Sequence, residues 1–196
     1  MIVGLLLAAG SGSRMGRPKA LVTEDNGVPW VVSTRKNMLA AGCEKVLTVI
    51  GAEAAEVQKL VAGEFVVAQD WEQGMSASLR AGLTQLLAEP PSTLVALVHL
   101  VDLPDVGVDS MERVAKDALL DAALAGSDPQ DVLARATYKG EPGHPVLIGR
   151  KHWQPLLAEL TGDKGARDYL AANNATAVEC GDLATGLDVD TDLSGL

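Results

Sequence analysis

Short unbroken apolar runs alternate along this chain with stretches in which apolar residues return every three or four positions. Residues 2–7, 46–50, 65–68 and 94–101 are continuous apolar runs, the pattern of strands buried on both faces of a sheet. Between them, residues 30–41, 54–61 and 76–87 read as helices. In the last of these, Leu79, Leu83, Leu86 and Leu87 stand at the i, i+4, i+7, i+8 spacing of one helical face. Strand and helix in alternation predict a mostly parallel sheet with right-handed crossovers. Ligands in such sheets bind beyond the carboxyl ends of the strands, so functional residues are expected just after each run.

The second half is less regular. A helix is expected over 110–125, a loop at 126–129, strands at 132–138 and 145–148, helices at 153–160 and 165–173, and a last strand at 176–180 before an acidic tail. No internal repeat or low-complexity stretch interrupts this order.

Composition narrows the class. A chain of 196 residues that is 47% apolar but only 3% aromatic fits one domain, 1–196, with a core of Val, Leu and Ala. A net charge of −10 argues against a general nucleic-acid binder, which needs clustered Lys and Arg. The charges are also unevenly placed. Residues 1–23 hold Arg14, Arg17 and Lys19 and no acid, whereas everything after Arg167 lacks Lys and Arg and carries six carboxylates. An anion site at one end of the chain and a cation site at the other are expected. Cys43 and Cys180 have neither disulfide nor zinc spacing and read as buried thiols. The first apolar run is too short to span a bilayer and has no basic segment before it, so a cytoplasmic protein without membrane partners is expected.

The loop Leu7-Ala8-Ala9-Gly10-Ser11-Gly12-Ser13-Arg14-Met15-Gly16-Arg17-Pro18-Lys19 follows the first strand. Its glycines read GxGxxxG, and Pro18 falls where a dinucleotide fingerprint needs a well-formed helix, so that reading is weak. A Walker A loop fails because Lys19 neither follows a glycine directly nor precedes a Ser or Thr. Gly10 and Gly12 can turn backbone N–H groups toward an anion, with Arg14 and Lys19 as forked and point-charge donors, which suits a triphosphate. On composition alone, a solvated surface turn fits the loop equally well. Asp102 follows an apolar strand directly, where a carboxylate needs a cation, and a turn-forming Asp before a proline is the alternative. Asp188 and Asp190, two apart on an extended segment, share a face, unless they are simply a solvated tail.

These stretches together carry a resemblance. LLLAAGSGSRMGRPKAL resembles the signature of the MobA-like nucleotidyltransferases, particularly the molybdopterin cytidylyltransferase branch. Gln73 to Leu83, Val101-Asp102-Leu103-Pro104, Gly143-His144-Pro145, Gly162 to Arg167 and Asp188-Val189-Asp190-Thr191 follow in that family's order, across nearly the whole chain. The resemblance implies a Rossmann-like three-layer α/β/α fold of the nucleotide-diphospho-sugar-transferase kind. Its N-terminal half would mainly bind the NTP and its C-terminal half the acceptor.

It further implies that Leu7 to Ser13, Arg14 and Lys19 hold the NTP, with Arg14 and Lys19 neutralising the α-phosphate and the departing pyrophosphate. Gly74, Ser76 and Ser78 would lie near the base, although capping the helix is the commoner role for a serine placed as Ser76 is. Mg2+ would sit on Asp102 and on Asp188 or Asp190. Gly143, His144, Pro145, Asp163 and Arg167 would face a phosphorylated pterin; Asp163 and Arg167 also suit helix capping and pairing. The family's tail usually continues Thr-Pro-Glu-Asp-Leu, where this chain reads Thr191-Asp192-Leu193. Ala8-Ala9-Gly10 with Arg17-Pro18-Lys19 resembles the CTP-using branch rather than the Gly-Gly and Asp-Lys-Gly of GTP users. The expected activity is therefore CMP transfer from CTP to molybdopterin with release of pyrophosphate, ahead of a downstream molybdoenzyme. GTP or another NTP, a sugar or polyol phosphate acceptor, and an inactive nucleotide-binding chaperone of a molybdoenzyme are the alternatives.

Overall fold

The first apolar run does become a strand buried on both sides. A computed structural model describes residues 1–90 and 92–189. In it, β1 (Ile2–Ala8) is flanked by two parallel neighbours, β2 (Lys45–Ile50) and β4 (Val95–Leu100). Leu6 and Ala8 enter one core cluster while Val3, Leu5 and Leu7 enter the other. That is why the run shows no polar alternation.

With β3 (Phe65–Val67), β5 (Leu133–Tyr138), β6 (Glu141–Gly149) and β7 (Thr176–Glu179), the seven strands take the order β3-β2-β1-β4-β6-β5-β7. β6 runs antiparallel to both β4 and β5, and β7 lies parallel to β5, so β6 alone is reversed in a mostly parallel sheet. On one face, α1 (Trp30–Ala40) and α4 (Val108–Leu124) pack through Trp30, Met38, Met111 and Val114. On the other face, α3 (Met75–Leu87), α5 (Arg150–Glu159) and α6 (Arg167–Ala172) pack through Leu79, Leu83, Leu86, Trp153, Leu156 and Tyr169. The result is the expected three-layer α/β/α arrangement. No helix among the described residues is long and apolar enough to cross a membrane. Both cysteines are free and buried, and burial pushes the Cys43 thiol up to about 12.

Two elements differ from the pattern reading. α2 (Ala54–Gln58) stops short of residue 61, because only Val57 in it is buried and Leu60 remains exposed beyond it. β6 starts at Glu141, four residues earlier than its apolar run. It pairs with β5 across a two-residue turn, Lys139 (φ 54°) and Gly140 (φ 83°), both left-handed as such hairpins require. The Glu179 carboxylate holds this turn by accepting from the Lys139 and Gly140 amides and from the Thr137 hydroxyl. That partner lies 40 residues away, beyond the reach of a local pattern.

Helix α3 seats closely on the sheet at Gly82, where a Cβ would lie 3.0 Å from Val49 Cγ2 and 2.5 Å from Leu5 Cδ1. A methyl here gains up to about 1 kcal/mol of helix propensity but overpacks the core by roughly 1–3 kcal/mol. The overpacking is expected to win. Gly82→Ala should lower the melting temperature by roughly 2–4 °C; a rise would show that Leu5 and Val49 yield freely.

Candidate functional site

The strand-end loops meet where the topology divides. From β1 the chain crosses to β2 on one side, while β4 lies on the other, so the ends of β1 and β4 flank an open crevice. The loop after β1 enters no helix. It turns back at Gly12, whose amide neighbour across the turn is Met15 (N to Gly12 O, 2.8 Å) and whose φ of +57° leaves no room for a side chain against the Arg17 carbonyl. A short 3₁₀ turn, Lys19–Leu21, then returns the lysine to the crevice. There Lys19 Nζ donates to Asp102 Oδ2 at 2.8 Å, with the two side chains only 16% and 19% exposed.

Asp102 stands in the turn after β4, as its position behind an apolar run required. Its carbonyl accepts from Val189 N (3.0 Å), which draws the chain's acidic end across the crevice. Asp188 lines the same cavity as Asp102. Asp190 lies outside the described residues. Among those described, no group of three or more His, Cys, Asp or Glu side chains is placed to hold a metal ion.

Three hollows open around Asp102. One of about 340 Å³ lies on the loop, between Gly10, Ser11, Gly12, Ser13, Arg14, Lys19 and Asp102. A second, of about 400 Å³, continues from Leu7, Ala9, Gly10 and Lys19 to Trp71, Gly74 and Ser78 at the start of α3. The third, of about 580 Å³, runs from Asp102 and Asp188 to Gly143, His144, Asp163 and Arg167 over a floor that includes Leu79, Val98, Leu100, Val146 and Ile148. Asp163 lines both of the last two. Its carboxylate rests against Gly74, whose φ of +102° and missing side chain admit it.

Most of the residues expected from the sequence therefore gather at one crevice. Three stand apart from its lining. Ala8 points into the core with α1, and Pro145 is buried in β6. Ser76 is buried and donates to the Thr161 carbonyl (2.9 Å) rather than capping α3, so it straps the 161–165 loop to that helix. Arg80 donates to the Leu157 and Leu160 carbonyls and so ties the end of α5 to the same helix.

Two lining residues escaped the motif reading. Trp71 lines the cleft near the loop and stacks on Gly51, where a Cβ would lie 2.7 Å from both Trp71 Cγ and Ala9 O. Its signal was a lone Trp between Asp70 and Glu72, an apolar surface in a polar setting. Arg135 lines the larger cavity from inside β5. A charge amid Leu133, Ala134 and Ala136 was the available clue.

Both histidines near this cavity are held neutral. Burial, then the charges of Arg135 and Arg167, bring His144 down to about 4. Burial, with His144 second, brings His99 down to about 3, and neither of its ring nitrogens has a hydrogen-bond partner. A histidine with a lowered folded pKa gives stability that is present above its unfolded value near 6.5 and is lost as pH falls toward the folded value. His99 alone should cost about 2 kcal/mol between pH 7.5 and 5. His99→Leu is expected to unfold in urea with a shallower pH dependence over that range, by about one proton near pH 5.5. An unchanged slope would show that His99 is not buried neutral.

Comparison with known proteins follows this geometry. The MobA-like NTP transferase domain matches residues 4–177. A protein named nicotine blue oxidoreductase, from Paenarthrobacter nicotinovorans, is 34% identical over 97% of this chain and 92% of its own length. A probable molybdenum cofactor guanylyltransferase of Rhodopirellula baltica is 26% identical over 69% of this chain and 62% of its own. The solved structure of Rv0371c from Mycobacterium tuberculosis superposes with a TM-score of 0.75 at 28% identity, covering 97% of this chain and 92% of that one. The same protein has also been solved in complex with manganese, with a TM-score of 0.70 at 24% identity over 96% of this chain and 93% of that one.

Proposed function

The chain belongs to the MobA-like NTP transferase family, and from that premise we propose that it is one domain that transfers CMP from CTP to the phosphate of a molybdopterin-type acceptor, releasing pyrophosphate. The observation that carries this reading is the Lys19–Asp102 contact of 2.8 Å at the junction of the loop hollow and the larger cavity. A cation and a carboxylate meet where two phosphorylated substrates would meet.

In this reading the triphosphate lies along Gly10 to Arg14 and the base beside Trp71, Gly74 and Ser78. The acceptor occupies the larger cavity, with its ring system on the apolar floor. Its phosphate oxygen forms a bond to the α-phosphorus in line, the bond from that phosphorus to the β-bridging oxygen breaks, and the electron pair leaves with pyrophosphate. No base is needed, because the acceptor oxygen is already ionised. The neutral His144 in the cavity lining fits this, since an uncharged imidazole can donate a hydrogen bond without adding charge. Catalysis then consists of positioning and charge neutralisation.

The donor set suits a hard divalent ion. Mg2+ takes one or two carboxylates together with phosphate oxygens and water, and Asp102 and Asp188 would hold it, where it supplies charge neutralisation at the phosphates. The relative solved with manganese supports a divalent metal. CTP is favoured by Ala8-Ala9-Gly10, and the guanylyltransferase relative makes GTP the first competitor.

A second reading rests on one observation, the 34% identity to a protein named as an oxidoreductase. In it the loop holds the pyrophosphate of a reduced nicotinamide dinucleotide, and the larger cavity holds an aromatic electron acceptor.

Pyrophosphate release with CTP, GTP, ATP and UTP, with Mg2+ and with or without molybdopterin, separates the two when run beside an assay of NADH and NADPH oxidation. Release that depends on CTP and molybdopterin is expected. Dinucleotide oxidation without release would support the reductase. Asp102→Ala should lower transfer by at least about 10³-fold, and Lys19→Ala by about 10²–10³-fold, each with the fold intact by circular dichroism. Near-normal release by the Asp102 variant would overturn the metal assignment; a Lys19 effect confined to the acceptor would reverse the orientation of the site.

A further inference from the structure

Several cations of this chain lie against acids. Lys45, Lys59, Lys116 and Lys151 each lie in ion pairs, as expected in a protein with 26 carboxylates and a net charge of −10. Arg135 and Arg167 do not. Among the described residues neither has an ion-pair partner, although Asp102, Glu141, Asp163 and Asp188 line the same cavity. Instead the two guanidiniums lie close enough that Arg167, after burial, lowers the Arg135 pKa, and both act on His144. Arg135 Nε is buried with no hydrogen-bond partner. Two like charges lining one cavity, one of them partly desolvated, are unfavourable together.

The backbone is shaped to bring them together. Arg135 pairs with Val146, but Thr137 pairs with Pro142, so β6 accommodates two residues more than β5 between those points. The irregularity carries Gly143 and His144 to the cavity wall beside Arg135. Bulges of this kind re-aim side chains next to active sites. The Tyr138 hydroxyl fixes the segment by donating to the His144 carbonyl at 2.7 Å.

We propose that Arg135, Arg167 and His144 form a binding site for a phosphate monoester dianion, namely the attacking phosphate of the acceptor. This rests on the transfer reading only for which phosphate it is. Two forked guanidiniums match two edges of a tetrahedral dianion, and the neutral imidazole adds a hydrogen bond without further charge. Bound there, the nucleophile is screened from the triphosphate it must approach. No proton leaves the acceptor in the step, and none is taken by His144.

The probe is inorganic phosphate on the full chain, followed through the His144 ring resonances so that phosphate on the Gly10–Lys19 loop is not counted. Wild type should show a phosphate-dependent shift. Arg135→Gln and Arg167→Gln should weaken it by about 10- to 100-fold and raise the KM for the pterin phosphate by a similar factor, leaving CTP affinity unchanged. Arg135→Lys should fall between. Arg135→Met tells a binding role from a structural one: its melting temperature should stay within about 2 °C of wild type or rise, because it removes an uncompensated charge.

No His144 response to phosphate in wild type, an equal response in the glutamine variants, or a clear loss of stability in Arg135→Met would each overturn the site. The outcomes separate from those of the parent reading. Transfer with a wild-type KM in Arg135→Gln sinks the site and spares the reading. Phosphate binding that depends on both arginines, in a protein that transfers no nucleotide, does the reverse.

Discussion

The Lys19–Asp102 ion pair is the constraint around which the rest is arranged. It is possible because β1 and β4 are parallel neighbours, so the loops leaving their carboxyl ends emerge side by side. A pair this little exposed gains less from its own attraction than it loses in hydration, and breaking it leaves an uncompensated charge. Its presence in a crevice is therefore weak evidence for stability and better evidence for use. In the proposed reaction a phosphate arriving from the loop side would compete for Lys19, and a divalent ion arriving with it would compete for Asp102.

The reversed strand supplies what a purely parallel sheet would not. β6 runs back along β4, so the segment from Glu141 to His144, at its start, lies beside the carboxyl end of β4. The residues proposed to face the acceptor thereby reach the same crevice as the loop after β1. The 161–165 loop closes the other wall, strapped to α3 by Ser76, while Arg80 holds the end of α5 just before it. Its Asp163 can press against the start of α3 only because residue 74 is glycine. Two hollows sharing Asp163 and Asp102 are the consequence, one loop-bound and one floored by the sheet.

Much of this was legible in the chain. Continuous apolar runs mark strands buried on both faces, and residues just behind them, Gly10 and Asp102, are where a doubly covered sheet exposes ligand-binding groups. Long-range contacts were not legible. Nothing near Lys139 announces that Glu179 will hold its turn, so the early start of β6 was hidden. Ser76 looks like a cap from its position, yet its hydroxyl is engaged by Thr161, which is 85 residues distant. Arg135 was visible as a misplaced charge, but its meaning depends on Arg167, which no local pattern connects to it.

Similarity alone does not settle chemistry on such a scaffold, since a relative at 34% identity bears an oxidoreductase's name while the domain is that of NTP transferases. Function has to be argued from the groups at the site. Those groups suit phosphates: a glycine loop with Arg14 and Lys19, a carboxylate at a strand end, and two arginines without an ion-pair partner among the described residues across the cavity. A dinucleotide's pyrophosphate would engage the first of these and leave the others unexplained. Joining two phosphorylated substrates uses all three, because each phosphate must be neutralised before it can approach the other.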